Sequence, residues 1–156
     1  MQVVCSLSHG GEGTSNWLRR SRIFGTVIKA LLDAQVRNNL LYLSLHRGVP
    51  PLYASGVRYQ NEPAGQTFLG QPAEEFALIP VVLQRKWGDC DDLAPYRVAE
   101  LIHAGERAKI RVQWRARRNP DGTLGRKYFH IVVRRADGTI EDPSAKLGMG
   151  SGAPGT

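Results

Sequence analysis

The chain has 156 residues, 42% of them hydrophobic and 22% charged, which suits one folded domain and excludes a disordered polyelectrolyte. No apolar run reaches the roughly 18 residues of a membrane-spanning helix, and two cysteines, Cys5 and Cys90, provide neither a disulfide framework nor a paired-thiol zinc site. The net charge of +7 is concentrated: residues 107–135 carry ten Lys/Arg against one acid, Asp121.

Residues 1–15 are rich in Gly, Ser and Thr and read as a flexible tail. Their apolar content is too low for a signal peptide, which predicts a reducing, cytoplasmic setting. Residues 16–147 form the expected single domain, and the Gly-rich stretch 148–156 reads as a second tail. A helix is expected over 16–47, with Val27, Leu31, Leu32, Ala34, Leu41 and Leu45 near helical spacing, ended by Gly48, Pro50 and Pro51. Residues 51–72 hold many turn formers and read as a loop region with one extended piece at 56–59. A second helix is expected over 73–86, broken by Pro80.

A third helix follows Cys90. Ala94, Val98, Leu101 and Ile102 share one face, and Gly105 suits the C-cap. Pro95 is tolerated best in a first turn, so regular helix is expected from about Asp92. The period then becomes two. Lys109–Arg117 alternates apolar Ile110, Val112, Trp114 and Ala116 with a charged outer row. Asn119–Gly122 is a turn, and 126–135 is a second strand with Phe129, Ile131 and Val133 on one face and His130 and Val132 on the other. Asp137-Gly138 turns the chain into a short strand at 139–142. Helices followed by a strand meander make an α+β class.

Cys90 sits at a helix start, where the dipole favours a thiolate. His130 and Asp142 flank a tight turn that pairs 133–135 with 139–141, which brings a carboxylate within reach of the imidazole. Nucleophile, base and orienting acid are what a thiol acyl transfer needs. Gln84, six residues before Cys90, and the Trp87 indole N–H are candidate oxyanion donors. Asp89, Asp91 and Asp92 are read first as caps and dipole compensation, with Arg85 or Lys86 to neutralise them. A hard-cation site is the sharper alternative. Arg111, Arg115, Arg117 and Arg134 form a basic row suited to an acidic protein partner. Without interleaved exposed aromatics, nucleic-acid binding is expected to be weak and non-specific at most.

The runs WGDCDDLA (Trp87 to Ala94) and HIVVRRADGTIEDPS (His130 to Ser144) resemble the transglutaminase-like, papain-related cysteine peptidase superfamily, in particular its compact bacterial and phage-encoded members. The resemblance covers residues 84–147. Leu52–Pro63 is similar to the phage type more loosely. It implies a reduced papain-like core, with the nucleophile helix packed on a small antiparallel sheet and Cys90, His130 and Asp142 as nucleophile, base and orienter. It implies a peptidase or amidase acting on a protein or peptide, with a glutamine transglutaminase or deamidase as the alternative within that chemistry. It requires no cofactor and permits calcium. The rival is a non-catalytic phage structural or assembly module that uses the basic hairpin to bind an acidic partner or nucleic acid.

Overall fold

The computed structural model describes residues 4–6, 14–62, 67–68, 71–118 and 124–150, with side chains over 25–62, 75–113 and 129–150. In chain order the elements are β1 (Val4–Ser6), α1 (Thr14–Leu45), a single 3-10 turn (Leu52–Ala54), β2 (Arg58–Tyr59), β3 (Thr67–Phe68), β4 (Gln71–Glu75) and α2 (Ile79–Arg85). They continue with β5 (Trp87–Gly88), α3 (Cys90–His103), β6 (Ala108–Arg118), β7 (Leu124–Arg135), β8 (Ile140–Glu141) and α4 (Pro143–Lys146). The class is α+β. Strands β6, β7 and β8 form an antiparallel meander, β1 and β3 flank β4, and β2 pairs in parallel with β5.

Helix α3 is the centre of the packing. Its Ala94, Val98 and Leu101 meet Ile28, Leu32 and Val36 of α1 and Ile110, Ile131 and Val133 of the meander. Its Leu93 and Tyr96 turn the other way, into a second cluster with Leu52, Val57, Ala77, Ile79 and Val82. Each fully buried Leu or Ile of this kind contributes roughly 1.5–3 kcal/mol. Polar anchors at the helix rim add direction: Tyr96 O–H donates to the Pro50 carbonyl at 2.7 Å, and Glu100 accepts from the Leu52 N–H at 2.6 Å.

The structure corrects several expectations. Val4–Ser6 is a strand paired with Ala73–Glu75, so the N-terminal segment is not simply a tail. The remaining residues of 1–13, the turn at 119–122 and the final 151–156 lie outside the described residues. Residues 71–75 are strand, not helix. Pro80 opens α2 near its first turn, where its missing N–H has no helical partner to lose. Leu78 cannot cap that helix with its side chain, so α1 does so from a distance. Asn39 Oδ1 accepts from the Ile79 N–H at 2.9 Å, and Gln35 Nε2 donates to the Ala77 carbonyl at 2.7 Å.

These two residues also explain the misread face of α1. Its buried face runs through Ile28, Leu32, Gln35, Val36 and Asn39, whereas Val27, Leu41 and Leu45 are exposed. Helix α3 begins at Cys90, earlier than expected, so Pro95 falls in its second turn and leaves the Asp91 carbonyl without its intrahelical donor. Downstream the chain keeps close order: Met149 N–H donates to the Ser144 carbonyl at 2.8 Å, so residues 148–150, expected in the C-terminal tail, are turns against α4.

Candidate active site

The meander places His130. Its register pairs Gln113 with His130, Arg111 with Val132 and Lys109 with Arg134, while Ile110–Val133 and Val112–Ile131 face α1 and α3. The turn at 136–138 sets Val133 against Glu141 and Arg134 against Ile140, the pairing expected from the sequence. Asp142 therefore leaves the end of β8 beside His130. His130 Nε2 and Asp142 Oδ2 lie 2.7 Å apart, with the imidazole nearly buried. The second Asp142 oxygen accepts from the Ala145 N–H at 3.1 Å and caps α4. Both carboxylate oxygens are thus engaged, one orienting the ring and one fixing the carboxylate. Nδ1 remains as the ring nitrogen that can serve a nucleophile.

Cys90 is the first residue of α3 and is half-buried against the core. Its approach is set by Gly88. A Cβ there would stand 3.1 Å from Asp92 Cβ and 3.2 Å from Leu93 Cδ2, so any larger residue would have to push the first turn of α3 back from β5.

Strand β2 joins the two halves of the site. Tyr59 pairs with Gly88, its N–H donates to the Leu147 carbonyl at 2.9 Å, and the Gln60 N–H donates to the Gly88 carbonyl at 3.0 Å. One strand is therefore bonded to the segment leading into Cys90 and to the segment following Asp142. The Tyr59 phenol is pushed up to about 12, by burial first and then by the negative charges of Cys90, Asp89, Asp91 and Asp142. It stays neutral, and its O–H donates a hydrogen bond to Asn61 Oδ1 at 2.5 Å. Sequence reading missed Tyr59 because it belongs to a turn-rich stretch without a period.

The acid cluster is built as a cap. Asp89 Oδ1 accepts from the Asp91 N–H at 3.2 Å, and Asp92 Oδ2 reaches back to the Asp89 N–H at 3.4 Å, a reciprocal capping box. Asp92 also accepts from the Ala77 N–H at 2.7 Å and is ion-paired with Arg85. Arg85 is the neutralising cation. It lies 3.8 Å over the Trp87 ring, whereas Lys86 is committed elsewhere, to the Ser55 carbonyl at 3.0 Å.

Burial and the Asp89 charge push the Asp92 carboxyl up, while Arg85 and two backbone N–H groups pull it down. Asp91 lacks that counterweight. It is 1% exposed, and neither carboxyl oxygen meets a donor among the described residues. Burial, then Asp89 and Asp92, push it well above the usual carboxylate range. A carboxylate only accepts, so Asp91 and Asp89 can bond only by sharing a proton. The three residues each bring an oxygen within 4.8 Å of the others, but Asp89 and Asp92 already have oxygens committed to backbone and Arg85. Calcium takes six to eight oxygens, so a cation here would need further ligands from backbone carbonyls or water.

Gln84 is exposed on the last turn of α2, and Trp87 is half-buried under Arg85. Arg111 and Arg134 are exposed, as is Lys109. The side chains of Arg115 and Arg117 lie outside the described residues. No helix among the described residues is long and apolar enough to cross a membrane. Comparison with protein-family models, with curated proteins and with solved structures gave no match to this chain.

Proposed function

We propose that the chain is a cysteine-nucleophile hydrolase acting on amide bonds, with a reduced papain-like, transglutaminase-like core. The observation that carries this is the 2.7 Å contact between His130 Nε2 and Asp142 Oδ2 on a strand pair tied through Tyr59 to the start of the Cys90 helix. Cys90 gives its proton to His130 Nδ1, and the thiolate attacks the substrate carbonyl carbon. The oxyanion that forms is met by the Cys90 N–H at the positive end of α3, with Gln84 or Trp87 as a second donor. His130 returns the proton to the leaving amine as the C–N bond breaks. A thioester remains on Cys90, and water deprotonated by His130 releases the acid. An amine in place of water gives transamidation by the same steps.

Asp142 holds the ring in place and stabilises the imidazolium. The chemistry needs no metal. The acid cluster serves as the helix cap, with a proton on Asp91 rather than a cation between the carboxylates.

Incubation with a mixed peptide library, followed by mass spectrometry, tests the reading. Cleaved or deamidated products are expected from the wild type and none from Cys90→Ala. Equal products from both proteins would remove Cys90 from the chemistry.

A further inference from the structure

The face of the meander that carries His130 continues into a row of cations. Cross-strand partners share a face, so His130 lies with Gln113, Val132 with Arg111, and Arg134 with Lys109. Lys109, Arg111 and Arg134 are exposed, as is Arg107 just before β6, and none of the four has an ion-pair partner among the described residues. Lys109 and Arg134 stand directly opposite each other. Like charges in that relation oppose strand pairing, so the arrangement is adverse for the sheet alone and favourable once an anion bridges it.

Neighbours two apart on one face of a strand are separated by ~6.6 Å. Arg111, across from Val132, therefore lies about one such step from His130, and the Lys109–Arg134 pair about two steps, near ~13 Å. An extended peptide has the same rise, and Val132 is buried between His130 and Arg134, so a chain that passes His130 and continues over the exposed Arg111 side of this face meets these cations with the residues two and four positions away.

We propose that the site takes an acidic peptide segment, with Asp or Glu two and four residues to one side of the amide that Cys90 attacks. Lys109, Arg111 and Arg134 are the residues that select it. The proposal rests on the catalytic reading above and adds to it the substrate class.

The test uses iodoacetyl-capped peptides, from which the Cys90 sulfur displaces iodide. One carries Glu at the second and fourth positions from the electrophile, one carries Gln there, and one carries the Glu pair six residues further out. Labelling of Cys90 is followed by mass spectrometry. The near-Glu reagent is expected to react about five- to tenfold faster than the Gln reagent, and the far-Glu reagent within about twofold of it. The near-Glu advantage is expected to fall to about one in Lys109→Glu/Arg134→Glu and at about 1 M salt. Should that variant fail to fold, Lys109→Gln/Arg134→Gln is expected to show an intermediate ratio.

A near-Glu advantage that survives both substitutions, or that the far-Glu reagent shares, overturns the proposal. So does submicromolar binding of a short DNA duplex at physiological salt without any Glu preference, which would assign the row to nucleic acid. Plain iodoacetamide separates this from the catalytic reading. If it labels wild-type Cys90 no faster than an unactivated thiol, the chemistry fails. Anisotropy of fluorescent Glu and Gln peptides on Cys90→Ala still decides the row.

Discussion

Two buried carboxylates on opposite flanks of α3 have opposite fates. Glu141, at the end of β8, accepts from Tyr53 O–H at 2.6 Å, from Arg97 Nε at 2.8 Å and from Arg135 at 3.1 Å, and Lys146 stands 3.4 Å away. Burial pushes its carboxyl up, but the Tyr53 and Arg97 hydrogen bonds and the cations outweigh that and hold it down at about 2. Asp91, at the start of α3, is more deeply buried still and meets no donor among the described residues. The first group ties β8 to α3 and so fixes where Asp142 begins. The second leaves a buried carboxyl pushed toward its protonated form beside the candidate nucleophile.

The largest effect is expected on the satisfied side. Glu141→Ala leaves Arg97 with Glu100 alone and the Tyr53 O–H without its acceptor, and should cost about 3–5 kcal/mol in denaturant unfolding, the usual result of removing one partner of a buried ion pair. The depressed carboxyl fixes the sign of its pH dependence. Its contribution is whole above the unfolded value near 4.5 and is lost as pH falls toward about 2, so the difference between wild type and variant should shrink across that window. A difference that stays constant down to the acid limit would show that Glu141 acts by packing rather than by charge.

Next comes Gly88. Its alanine variant must push Asp92 and Leu93 aside and should lose about 1–3 kcal/mol. Cys90 alkylation should change with it, because the capping box and the nucleophile share that turn. Loss of stability with unchanged Cys90 reactivity would break the link between cap and site.

The smallest effect is on the unsatisfied side and has the opposite sign. A carboxyl whose folded value is raised contributes stability below its unfolded value, near 4, and loses it as pH rises. Asp91→Asn removes that loss, so at pH 7 the variant should be about 1 kcal/mol more stable than wild type and near pH 4 no different. Chelator should leave the wild-type melting temperature unchanged. A fall in melting temperature with chelator, abolished in Asp91→Asn, would mean that a cation and not a proton balances the cluster.

How much of this was legible in the sequence follows the range of each interaction. The meander was readable to within one or two residues because strand alternation and a turn signal at Asp137-Gly138 are local, and the contact between His130 and Asp142 follows from that register. The face of α1 was not. Gln35 and Asn39 look like solvated positions until the backbone of Ala77 and Ile79 arrives from 40 residues away to use them. Strand β4 was hidden because its local partner β3 gives it only two pairs and its longer partner is a strand near the N-terminus. Tyr59 was hidden because its meaning lies in bonds to Gly88 and Leu147, both distant in sequence. Arg85 was considered beside Lys86 as neutraliser, and only the geometry separated them.

The central claim is that His130, oriented by Asp142, activates Cys90. The rate of Cys90 alkylation by iodoacetamide against pH, in wild type and in His130→Asn, tests it directly. The account predicts that wild type stays reactive well below pH 8.5, the range of an unperturbed thiol, and that the variant reverts to an ordinary thiol profile. Superimposable profiles for the two proteins, each with the midpoint of an unperturbed thiol, would contradict it.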